Sequence, residues 1–140
     1  MKILKYLAIV LSAIVLCGST ANGSDVTIEV DYIYPQGAPA IPSSDRYRIS
    51  IKDGKLDGYL PFFGTGSVAG FNPDDLSFHF EDCPVKIKEK KAKDRTVWKF
   101  DAESGCEKVP VVITIWDNGA AEIYIHSANR SSIRYSGQLL

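Results

Sequence analysis

Val111-Val112-Ile113-Thr114-Ile115-Trp116-Asp117-Asn118-Gly119-Ala120-Ala121-Glu122-Ile123-Tyr124-Ile125 reads as two strands joined by a tight turn. On both sides of Asn118-Gly119 an apolar residue recurs at every second position, the side-chain period of a strand with one buried face. Asn-Gly favours the left-handed backbone that a tight hairpin needs. Val111, Ile113 and Ile115 are therefore expected to pair with Ala121, Ile123 and Ile125 across a turn.

The same alternation extends outward in both directions. Val26, Ile28, Val30, Tyr32 and Tyr34 alternate with Thr27, Glu29, Asp31 and Ile33. Tyr47, Ile49 and Ile51 alternate with polar neighbours, as do Leu76, Phe78 and Phe80, and then Val85 and Ile87. Ile133 and Tyr135 close the series. Asp53-Gly54 reads as a second hairpin turn, and Ala92 to Arg95 as a third connection, between strands running Val85 to Lys91 and Thr96 to Asp101. No helical period is sustained beyond the N-terminus. The expectation is a single antiparallel all-β domain, a small barrel or strongly curved sheet of about eight to nine strands. In a barrel, the strand from Val26 and the one ending near Tyr135 would close together.

The N-terminus has a different character. Lys2 and Lys5 precede an apolar run from Tyr6 to Cys17, 12 residues long, followed by Gly18-Ser19-Thr20-Ala21. Basic, apolar, then small is the pattern of a secretory signal, and the run is short for a membrane span. Residues 1–21 are expected to be a signal peptide cut after Ala21, leaving residues 22–140 as one β-rich domain. Membrane attachment would follow only if Cys17 were lipidated, and Leu16 is a poor residue to precede a lipidated cysteine. The whole chain carries 16 basic and 17 acidic residues, net −1, with 45% hydrophobic residues. That balance gives no reason to expect nucleic acid as a partner. Without the leader, 119 residues with a net charge of −3 and two cysteines remain.

Cys83 and Cys106 flank the predicted hairpin and are expected to form a disulfide in an oxidising compartment. Closing such a loop stabilises by about 3 kcal/mol in the chain-entropy model. Zinc held by His79, Cys83, Cys106 and His126 is the alternative. His79 and Cys83 would lie about 13 Å apart on one strand, too far for one tetrahedral ion. No metal and no cofactor is expected. Gly64-Thr65-Gly66-Ser67-Val68-Ala69 matches a dinucleotide fingerprint, but the helix that would receive the pyrophosphate is missing. Lys86, Lys88, Lys90, Lys91, Lys93 and Arg95 make a basic hairpin, read as a solvated face or as a contact for anionic glycans or headgroups.

The aromatic cluster Tyr59, Phe62, Phe63 and Phe71 is the best binding candidate, lining the mouth of a cavity or plugging the end of the core. Arg130 could hold an anionic group through its planar fork, or tie the last turn to backbone carbonyls. The adjacent acids Asp74-Asp75 and Glu81-Asp82 do not read as a cooperating pair, and no nucleophile motif stands out.

Three ordered segments carry a resemblance. They are Gly58-Tyr59-Leu60-Pro61-Phe62-Phe63-Gly64, Asp117-Asn118-Gly119-Ala120-Ala121, and Asn129-Arg130-Ser131-Ser132-Ile133-Arg134-Tyr135-Ser136-Gly137. The chain resembles a family of small exported Bacteroidetes proteins catalogued as a domain of unknown function. It departs from that pattern at Thr65-Gly66-Ser67-Val68, where arginine and aromatic residues are usual, and in its cysteine pair. The resemblance implies the periplasm or outer envelope of a Gram-negative bacterium and supplies no activity. The reading is a non-catalytic envelope module that binds a protein, a glycan or a small apolar ligand. The alternative is a lipid-like carrier with an internal cavity, with an envelope hydrolase behind both.

Overall fold

A computed structural model describes residues 25–63, 76–105, 107–128 and 130–140. They are strands and connections throughout: β1 (Val26–Pro35), β2 (Ile41–Pro42), β3 (Arg48–Lys52), β4 (Lys55–Leu60), β5 (Phe78–Pro84), β6 (Lys88–Lys91), β7 (Arg95–Ser104), β8 (Glu107–Trp116), β9 (Ala120–Ile125) and β10 (Ile133–Leu139). Nine of them form one path, β5-β4-β3-β1-β10-β9-β8-β7-β6, with β2 added beside β1. Every pairing is antiparallel. The sheet curls strongly into a half-barrel.

The Asn118-Gly119 hairpin has the expected register. Val111 faces Ile125, Ile113 faces Ile123 and Ile115 faces Ala121. Gly119 takes φ +89°, and the Asn118 side chain accepts the Ala120 N–H at 3.0 Å. At the second turn Asp53 and Gly54 both have positive φ, 52° and 72°, the signature of a two-residue hairpin loop. The first and last long strands, β1 and β10, do pair at the centre of the sheet.

The two edges of the path, β5 and β6, are neighbours in the chain, with only residues 85–87 between them. The chain thus pairs with β4 on one side, crosses, and pairs with β7 on the other. Side chains join the seam where the ladder does not. The His79 N–H donates to Ser104 Oγ at 3.0 Å, and the Glu103 N–H donates to Cys83 Sγ at 3.3 Å. Val85 and Ile87 alternate as expected but form no strand; they pack against the core from this crossing.

Two bulges bend the sheet. In β1 the partner of Val30 is Gly137 and that of Tyr32 is Ser136, so Asp31 is an extra residue. An extra residue reverses the alternation. Ile33 is 2% exposed and Tyr32 is 47% exposed, opposite to the facing expected from the period. In β5, Glu81 and Asp82 stand against Asp57 alone, and the Asp57 carboxylate accepts the N–H of Asp82, whose φ is +43°. The concave side is filled by aliphatic and aromatic side chains, among them Ile28, Ile49, Leu56, Phe78, Ile113, Ile123 and Tyr135. Each such burial contributes roughly 1.5–3 kcal/mol.

Candidate functional site at one end of the half-barrel

Leu60 at the end of β4 faces Phe78 at the start of β5, and Ser104 faces Glu107 where β7 turns into β8. The segment between β9 and β10 arrives at the same end and delivers Ser127 and Arg130. These residues build a buried polar cluster under an aromatic cover.

Glu107 shares its inward parity with Val109 and Val111, so the sheet carries its carboxylate into the interior. A buried carboxylate requires a countercharge and donors. Arg130 supplies the charge through an ion pair from Nη1, and the Ser127 hydroxyl donates a further hydrogen bond to the same carboxylate. The Arg130 side chain is 1% exposed. Its guanidinium lies over the Phe78 ring at 4.7 Å and within 5.9 Å of the Phe62 ring. Phe62 meets Phe78 edge-on at 6.0 Å, and Phe78 stacks on Phe80 at 6.3 Å. Such contacts combine cation–π attraction with apolar burial. Arg130 Nε has no hydrogen-bond partner.

Tyr135 anchors the cover from below. Its hydroxyl donates to the carbonyl of Pro61 at 2.5 Å. Burial pushes the phenol well above its usual range; nearby Arg130 opposes that shift and Tyr59 adds to it. The hydroxyl stays protonated and keeps Pro61 in place, so Phe62 and Phe63 leave β4 from a fixed point. Phe62 turns inward and is half-buried, whereas Phe63 is 44% exposed.

The expected site residues therefore separate into groups. Phe62 and Arg130 come together, with Phe63 beside them on the surface. Tyr59 lies elsewhere: its hydroxyl donates to Ser77 Oγ at 3.0 Å, and its ring packs against Tyr47 and His79 at 5.7 and 4.8 Å. Phe71 and the glycine-rich segment lie outside the described residues. Arg130 pairs with the Glu107 carboxylate. Reading from sequence missed Glu107 and Ser127, although an acid at an inward strand position was a usable signal.

Cys83 is a free, buried thiol in the structure, and Cys106, its expected partner, lies outside the described residues. His126 shares a hydrogen bond with Ser132 at 2.8 Å. Among the described residues no three His, Cys, Asp or Glu side chains gather as a metal site. Chemically, the Glu107 carboxylate is held by an arginine and a hydroxyl, and that arginine in turn lies against the aromatic cover.

No curated protein matches the chain. A family model, described as a domain of unknown function (DUF4251), matches residues 20–139. With that match spanning nearly all of its length, the chain belongs to the DUF4251 family.

Proposed function

We propose that the protein is a non-catalytic binding module of the cell envelope, exported by its leader, and that it recognises its partner with the end of the half-barrel bearing Phe63. The carrying observation is the contrast between adjacent rings. Phe62 is packed on Phe78 and the buried arginine, while Phe63 beside it is exposed. A large ring held out from a rigid base loses little freedom on binding, which is the character of an interface anchor. Phe62, Phe78 and Arg130 occupy this end of the core, which favours surface recognition over a ligand-lined mouth. Export is supported by the basic-apolar-small order of residues 1–21 and by a family match that begins at residue 20.

The test compares immobilised wild-type protein with Phe63→Ala against detergent-solubilised envelope material. Phe63→Ala leaves the buried cluster intact, so both proteins should unfold at the same denaturant concentration. The expected result is a species retained by wild type and lost from the variant. Identical retention by the two, or none above a blank matrix, would overturn the reading.

A further inference from the structure

A cleft of about 770 Å³ opens on β7 and β8, where the crossing from β5 to β6 passes. Its size is that of a small-molecule site. Lys86, Lys88, Lys99 and Lys108 line it, together with Asp101 and Glu103. The register brings two of the lysines together and sets a third against an acid. Lys88 stands directly opposite Lys99, and Lys108 opposite Glu103. Lys99, Asp101 and Glu103 alternate with the buried Trp98, Phe100 and Ala102, so they share the outer face of β7.

Like charges directly opposed across strands destabilise a sheet. Lys88 and Lys99 are such a pair, and none of the four lysines has an ion-pair partner among the described residues. The chain as a whole is slightly acidic, so this concentration of cations is local. A dianion placed between two ammonium groups would remove their repulsion, and lysine is a common phosphate ligand acting as a point charge. The cleft is much larger than a phosphate. Beyond the lysines it offers the carboxylates of Asp101 and Glu103, which accept hydrogen bonds from hydroxyls, and the apolar surface of Pro110 and Val112.

We propose that this cleft binds a phosphorylated sugar or polyol, the phosphate between Lys88 and Lys99 and the hydroxyls toward Asp101 and Glu103. The site is separate from the Phe63 end, and Phe63→Ala should leave it unchanged. A phosphoglycerol lipid headgroup offers the same pairing of phosphate oxygens with hydroxyls, but as a diester with one negative charge rather than two.

Calorimetric titration at low ionic strength with glucose 6-phosphate, and with glucose as the uncharged control, tests the first source. Phosphatidylglycerol vesicles against neutral vesicles test the second. The expected result is saturable binding of the phosphate form only, weakened about tenfold or more by K88Q/K99Q and unchanged by K52Q on β3. The ligand-free thermal midpoint of K88Q/K99Q should equal or exceed that of wild type, since a repulsion is removed. Lysine-dependent binding to anionic vesicles alone would assign the headgroup as the source. No saturable binding to either probe, or binding that survives K88Q/K99Q, would overturn the proposal.

Discussion

Arg130 and Glu107, 23 residues apart in the chain, form an ion pair inside the half-barrel, with the arginine side chain 1% exposed. Two charges withdrawn from water gain little net stability from each other, but either one left alone is expensive. Arg130→Met should therefore cost about 3–5 kcal/mol, because Glu107 would remain buried without its countercharge. Glu107→Leu combined with Arg130→Met should recover most of that loss. Urea denaturation of wild type, both single variants and the double variant measures the coupling directly. Additive losses in the double variant would show that the pair does not act as a unit.

The neighbouring phenol makes stability depend on pH at the alkaline end. Tyr135 has a raised pKa in the folded protein because it is buried. Above the ordinary tyrosine pKa of about 10, the unfolded chain releases this proton while the folded chain keeps it. The unfolded state then binds fewer protons, so stability is intact below pH 10 and falls as pH rises beyond it, by up to about 1.4 kcal/mol per pH unit from this one group. Tyr135→Phe removes that dependence while losing the hydrogen bond to Pro61. Its urea midpoint should be lower than wild type at pH 8 and should decline less steeply between pH 10 and 11.5. Parallel pH profiles would refute the assignment.

The strands were legible because alternation is a local property: a residue's inward or outward facing is written in its immediate neighbours. The hairpin around Asn118-Gly119 needed nothing else. The reversal at Asp31 was not legible, because it is imposed by the pairing of β1 with β10 from the far end of the chain. The same limit hid most of the site. Arg130 stood out as a candidate, and Phe62 belonged to an evident aromatic cluster, but their contact and the partner Glu107 depend on three elements meeting at one end. Tyr59 was grouped with Phe62 by proximity in sequence, and the strand period sent it to the opposite face.

Gly137 marks the place where β10 approaches the β1 bulge. A Cβ at this position would collide with the carbonyl oxygen of Glu29, a backbone atom that cannot rotate away. Gly119 has open space around it but a φ of +89°. Gly119→Ala should cost about 1–2 kcal/mol, from conformation alone. Gly137→Ala should cost more, because the pair of strands must separate or the bulge must move. Denaturation of the two variants ranks them, and a milder effect at Gly137 would show that the bulge is soft.

Cys83 tests the link between fold and compartment. In the structure its thiol is buried at the seam and accepts the Glu103 N–H at 3.3 Å. Glu103 belongs to the strand that leads, through Gly105, to Cys106. Between β5 and β7 the bonds run from backbone N–H groups to the Ser104 and Cys83 side chains, so a disulfide from Cys83 would add a covalent tie to the β5 edge. If the protein is exported under oxidising conditions, denatured material should show no reactive thiol from Cys83 and Cys106, and reduction should lower its stability by about 3 kcal/mol. Two reactive thiols would leave Cys83 as the hydrogen-bonding core thiol of the structure. In that case Cys83→Ala should cost about 1–3 kcal/mol, since the Glu103 N–H loses its acceptor and a buried side chain is trimmed. Thiol titration before and after reduction separates the two outcomes without any knowledge of the partner.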